Sequence, residues 1–150
     1  MKNVFDKKDV SELVLRINNL NSDSPNLWGK MNVGQMMAHC NVAYDMTYTD
    51  KYRKPTGFKK FIIKLLAKNT VVGPKPYKRN GRTAPEFLIT DERDFESEKQ
   101  KLVAYLEKTQ QLGSAHFQNK ESHAFGPLTA QEWNVLFYKH LNHHLCQFNV

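Results

Sequence analysis

Residues 129–148 read T-A-Q-E-W-N-V-L-F-Y-K-H-L-N-H-H-L-C-Q-F. The stretch opens on Thr129 with Glu132 three positions later, directly after G-P-L. That is a capping box, in which each of the two side chains satisfies a backbone amide of the first helical turn. Trp133, Leu136, Phe137, Leu141, Leu145 and Phe148 then recur at helical spacing. The spacing predicts a helix running nearly to the last residue, with this stripe turned inward. His140 and His144 lie four apart, about 40° around the helix axis, and both fall on the apolar side. His143 lies about 100° from His144 and nearer the edge.

Three further long helices can be read upstream. D-V-S-E from Asp9 to Glu12 predicts a start capped by Asp9, with Val10, Leu13, Val14, Ile17 and Leu20 keeping the period. Asn19 to Pro25 is a loop. Asn32 can cap a second helix, with Gln35 at its third position. Val33, Met36, Met37, Cys40, Ala43, Tyr44 and Met46 give that helix a wide apolar arc, and it should stop before Pro55 and Gly57. A third helix is expected from Asp91 to Leu112, with Phe95, Leu102, Tyr105, Leu106 and Leu112 inward and Gly113 as its C-cap. Between the second and third, Phe58, Phe61, Ile62, Leu65 and Leu66 face one way and lysines the other, as in a short amphipathic helix. V-V-G-P-K-P-Y-K-R-N-G-R (71–82) is rich in turn formers and should be irregular. Ala84, Phe87, Leu88 and Ile89 fit either an extended stretch or a packed loop. Residues 114–127 read as a loop, and nothing reads as a multi-strand sheet. The expected fold is all-α, a four-helix bundle with one extra short helix between the second and third.

Two imidazoles aimed into an apolar core need partners, because unpaired polar burial costs on the order of 1–3 kcal/mol each. A divalent metal would satisfy both at the i, i+4 spacing; so would ordinary hydrogen bonds. His39 sits mid-helix in G-Q-M-M-A-H-C-N-V-A and shares a side with Met36 and Ala43. It is the natural third ligand if the second and last helices are neighbours. His143, Gln147 and Asp45 are candidates for outer partners around the ligands. His116 and His123 read as solvated loop residues. Three imidazoles leave a fourth position open for water, thiolate or substrate, which is the catalytic arrangement rather than the structural one. Zinc is the first expectation and nickel the second.

The chain of 150 residues suits a single domain, 1–150. Its 40% hydrophobic and 25% charged residues are ordinary globular usage and exclude wholesale disorder or a fibrous protein. Two cysteines, Cys40 and Cys146, make no disulfide framework. No signal peptide is visible, so both are expected reduced, in the cytoplasm. The longest apolar run, Phe61 to Ala67, is broken by Lys64 and cannot be a transmembrane span. The net charge of +7 is uneven. Residues 51–82 carry eleven bases and no acid, while the remainder holds eleven bases against fifteen acids. No nucleic-acid motif accompanies this segment, so no nucleic acid is expected as partner. A solvated face, an amphipathic helix on an anionic membrane, or a helix docked on its own domain would each look like this.

Three stretches carry a family resemblance: W-G-K-M-N-V-G-Q-M-M-A-H-C (28–40), F-G-P-L-T-A-Q-E-W (125–133) and K-H-L-N-H-H-L-C-Q-F (139–148). On them, and on the order of elements over most of the chain, the sequence resembles an uncharacterised branch of the DinB/YfiT-like superfamily of four-helix-bundle metalloproteins. The resemblance implies an up-down-down-up bundle with a metal at one end of its core. The implied ligands map onto His39, His140 and His144. The best-understood relatives act with low-molecular-weight thiols such as bacillithiol or mycothiol. Two function classes follow as expectations. One is a metal-dependent enzyme, thiol S-transferase-like or hydrolase, acting on a small molecule, with a thiol cosubstrate whose negative charge the basic segment would suit. The other is a non-catalytic helical binding module in which segment 51–82 engages an anionic partner or membrane surface. A homodimer is compatible with a bundle of this size, and no sequence feature demands one.

Overall fold

A computed structural model describes residues 1–150. It contains five α-helices: α1 (Lys7–Asn18), α2 (Val33–Tyr48), α3 (Gly57–Val72), α4 (Phe95–Phe117) and α5 (Ala130–Gln147). A single 3₁₀ turn covers Pro85–Phe87, and a two-stranded antiparallel hairpin, β1 (Lys120–Ser122) and β2 (Gly126–Leu128), precedes α5. The fold is mostly helical, as expected, with a small sheet that the sequence reading did not contain.

The capping chemistry of α2 and α5 stands as written in the sequence. The Asn32 and Thr129 side chains accept from the amides of Gln35 and Glu132, and the Gln35 and Glu132 side chains reach back to the cap amides. The start of α1 differs. Asp6, not Asp9, is the N-cap and accepts from the Asp9 amide, while the Asp9 carboxylate accepts from the Asn3 amide. Both aspartates have the spacing of a cap, and the earlier one is closed by a turn in which the Asp6 amide donates to the Asn3 carbonyl at 3.0 Å.

Helix α2 is buried on nearly all sides, from Val33 to Asp45 with only Gln35 more open. It packs chiefly on α4 and also on α5, so its apolar residues have no solvent face to avoid. Helix α1 packs on α4 as well. One apolar core of 21 residues gathers side chains from α1, α2, α4, α5 and the hairpin, including Leu13, Ile17, Met36, Met37, Leu102, Leu106, Leu128, Phe137 and Leu141. The N-terminal segment is tied to α5 by Asn134, which accepts from the Val4 amide at 2.8 Å and donates to the Lys2 carbonyl.

Helix α4 departs from the expected third helix at both ends. Its N-cap is Asp94. Gly113 takes φ 71°, a conformation open to glycine, and breaks the helix where a C-cap was expected. The chain then makes one more helical turn, which places Phe117 fully inside the core. Leu112, expected inside, is 37% exposed, because the core needs Phe117 from beyond the kink instead. His116 is therefore helical and exposed, and His123 lies in the hairpin turn.

Helix α3 is the largest correction. It runs to Val72, past Leu66, the last residue of the apolar pattern, and into the stretch 71–82 that was expected to be irregular; only Val72 is buried. Lys139 of α5 holds its end, donating to the carbonyls of Thr70 (2.8 Å), Gly73 (2.5 Å) and Lys75 (3.2 Å). Helix C-termini leave carbonyls without partners, and one ammonium here serves three neighbouring ones. The apolar side is not docked on the domain: Phe58, Phe61, Leu65 and Leu66 are 59–77% exposed. No helix is long and apolar enough to cross a membrane.

Candidate metal centre

Helices α2 and α5 bring His39, His140 and His144 together. One ring nitrogen from each lies within 4.8 Å of the other two. The ring centroids are 4.5–5.0 Å apart, and the Nε2 atoms of His39 and His140 are separated by 2.9 Å. His39 and His144 are buried and His140 is half-buried.

Hydrogen bonds fix which nitrogen each of two rings offers. The Nδ1 of His39 lies 2.8 Å from the Phe87 carbonyl, which only accepts, so Nδ1 carries the proton and Nε2 the lone pair. The Gln147 amide nitrogen donates to the Trp28 carbonyl at 2.6 Å, which turns its oxygen toward Nδ1 of His144 at 2.8 Å. His144 therefore also keeps its proton on Nδ1 and its lone pair on Nε2. Outer partners that orient ligating imidazoles in this way are the usual second half of a metal site. Burial lowers the pKa of His39, pulls that of His144 down to about 3, and drives that of His140 well below its ordinary value, with the neighbouring imidazoles adding to the effect on His140. All three rings are neutral at neutral pH, the form that coordinates a cation. Three neutral nitrogen donors fit zinc or nickel and leave a fourth position free.

The outer residues divide. Gln147 is 3% exposed and in contact with a candidate ligand. His143 is half-buried at the rim, its ring 5.1 Å from His144, 5.7 Å from Tyr77 and 5.9 Å from Trp28. Asp45 bonds none of the histidines. Its carboxylate is taken by Lys101 (2.9 Å), Lys51 (3.3 Å) and the Tyr105 hydroxyl (2.7 Å), because six residues along α2 turn it away from His39 toward α4. Burial pushes the Asp45 carboxyl up, but the hydrogen bonds from Lys101 and Tyr105 and the charges of Lys101 and Lys51 outweigh this and hold it below its ordinary value.

A carboxyl held down in the folded state supports stability above its unfolded pKa, and the support is lost as pH falls through the lower folded value. Asp45→Ala is therefore expected to lower unfolding free energy near neutral pH by about 1–3 kcal/mol, the half-exposed lysines limiting the effect. In urea titrations the difference from the parent should shrink on acidification below about pH 4.

Residues 73–94 supply contacts that sequence reasoning missed. The Phe87 ring packs against His39 and His140, and the Tyr77 ring against His140 and His143. Arg79 stacks on Trp28 at 4.1 Å. A cavity of about 340 Å³ beside His143 is lined by Trp28, Tyr77, Arg79, Tyr138, Asn142 and Lys139 among others. Gly29, at φ 83°, lets the Trp28 loop pass the Gln147 amide: a Cβ there would sit 2.6 Å from its nitrogen. Cys40 and Cys146 are both free and stand outside the three-histidine group.

Fold and site together define a helical protein with a three-histidine cluster between two core helices. The chain belongs to the family described as "Protein of unknown function (DUF1569)", which it matches over residues 2–150. No curated protein and no solved structure matches it.

Proposed function

We propose that this protein is a metal-dependent enzyme whose ligands are His39, His140 and His144, of the thiol S-transferase or hydrolase type and acting on a small molecule. The observation that carries the reading is the convergence of three ring nitrogens within 4.8 Å of one another, with Nδ1 of His39 and of His144 each against an outer hydrogen-bond acceptor. Two lone pairs and a third imidazole meet in one place with their outer hydrogens already committed to Phe87 and Gln147. Without a cation, a proton on Nε2 of His140 donated to Nε2 of His39 at 2.9 Å satisfies one of those lone pairs. A zinc or nickel ion bound there would lower the pKa of a coordinated water or thiol and so supply a nucleophile near neutral pH.

The chain's own groups do the rest. Gln147 and the Phe87 carbonyl orient the ligand rings, while the Phe87 and Tyr77 rings keep bulk water from His140. Burial pushes the Tyr77 hydroxyl up to about 12, so it stays protonated. Arg79 and the aromatic walls beside His143 suit a small anionic substrate or thiol cosubstrate. Kinship with the DinB/YfiT-like superfamily, and its up-down-down-up course, belong to the same reading. They are supported by the three matching stretches and by the packing of α2 against both α4 and α5.

Untagged protein loaded with zinc or nickel and screened against low-molecular-weight thiols with electrophilic acceptors, and against ester and amide substrates, tests the proposal. Turnover that disappears with the metal supports it; saturable metal binding with no turnover in either screen argues against the catalytic half. Gln147→Leu, which removes the acceptor for Nδ1 of His144, is expected to weaken metal affinity by about 10–100-fold, measured by competition with a chromophoric chelator.

A further inference from the structure

We propose that α3 docks this protein on the surface of an anionic bilayer. Phe58 is 77% exposed, Phe61 59%, Leu65 67% and Leu66 73%. At about 100° per residue these four side chains, with half-buried Ile62 between them, cover an arc of about 140°. Lys59 borders one edge of the arc and Lys64 the other, both exposed. That is the layout of a helix lying in a membrane interface, with apolar residues entering the acyl boundary and lysines at headgroup level.

Charge selects the occupant. Of the eleven bases in residues 51–82, Lys51, Lys60 and Lys68 pair with Asp45, Glu121 and Glu132; the other eight meet no acid. A second copy laid on the same face would bring Lys59 and Lys64 against their equivalents. A nucleic acid would answer the charge but gives Leu65 and Leu66 no apolar medium. An anionic bilayer answers both, each nearby base adding about 1 kcal/mol of attraction. The end of α3 is held by Lys139, the residue next to His140, so docking would carry the histidine cluster to the surface with it. The inference does not depend on a metal being bound.

Cosedimentation with vesicles of phosphatidylcholine containing about 30% phosphatidylglycerol tests it. The protein is expected to bind these vesicles and to bind phosphatidylcholine alone far more weakly. Raising salt from about 0.1 M to about 1 M should release it, because the screening length falls from about 10 Å to about 3 Å. F61E/L65E and K59E/K64E should each weaken binding at least about tenfold. Leu15→Glu, at an exposed site on α1, should leave it unchanged. All these positions are at the surface, and circular dichroism checks that the variants fold. Absence of binding, equal binding to neutral vesicles, or full binding by F61E/L65E would overturn the proposal. So would a parent dimer that F61E/L65E converts to monomer, or duplex DNA binding that survives that change, since these assign the face to another partner.

Discussion

Alanine at His39, or at His144, is expected to leave a folded helical protein that no longer retains a stoichiometric divalent metal. The two residues come from different helices, α2 and α5, and each contributes one lone pair whose direction a hydrogen bond fixes. Removing either leaves two donors, too few for a closed tetrahedral set completed by one exchangeable ligand. Bound metal should fall at least about tenfold under conditions that saturate the parent. Helix content should be unchanged, because an imidazole that lacks its cation is a buried polar group whose loss relieves as well as removes contacts. Elemental analysis of both variants, beside far-ultraviolet circular dichroism, makes the comparison. Stoichiometric metal in both would refute the ligand set.

Phe137→Ala is expected to do the reverse and strike the fold. Phe137 is 1% exposed and stacks on Tyr44 at 4.6 Å and 4° between planes, on Trp133 at 5.4 Å, and edge-on to Phe117 at 5.9 Å. The aromatic cluster joins α2, α4 and α5, so the cavity left by alanine cannot close by moving one side chain. The loss should be about 3–5 kcal/mol. Against an ordinary stability of about 5–15 kcal/mol this is a large fraction, and the melting temperature should drop by about 10 °C or more. A drop of only a few degrees in a thermal scan would mean that the helices are held mainly elsewhere.

The features that were legible in the sequence are those whose cause is local. Thr129 with Glu132 and Asn32 with Gln35 announce two helix starts through side chains three residues apart, and both caps are formed. The spacing of His140 and His144 follows from helix geometry alone. His39 could be paired with them because a lone histidine amid Met36, Met37, Cys40 and Ala43 has few other uses for its nitrogens. The features that were not legible depend on distant chain. The partner of His39 is a backbone carbonyl at Phe87, which any residue could provide. Asp45 looked available to the ligands, but α4 presents Lys101 and Tyr105 to it. The hairpin has strands of three residues, too short to show alternation. The apolar side of α3 was readable as apolar, whereas its exposure is decided by the shape of the rest of the molecule, which covers Val72 and leaves Phe58, Phe61, Leu65 and Leu66 open.

X-ray absorption at the zinc edge of untagged protein loaded with about one equivalent of zinc tests the three-histidine ligand set. Three imidazole nitrogens at about 2.0–2.1 Å with one further light-atom ligand are expected. A sulfur shell at about 2.3 Å, or zinc that washes away without an imidazole signature, would contradict it.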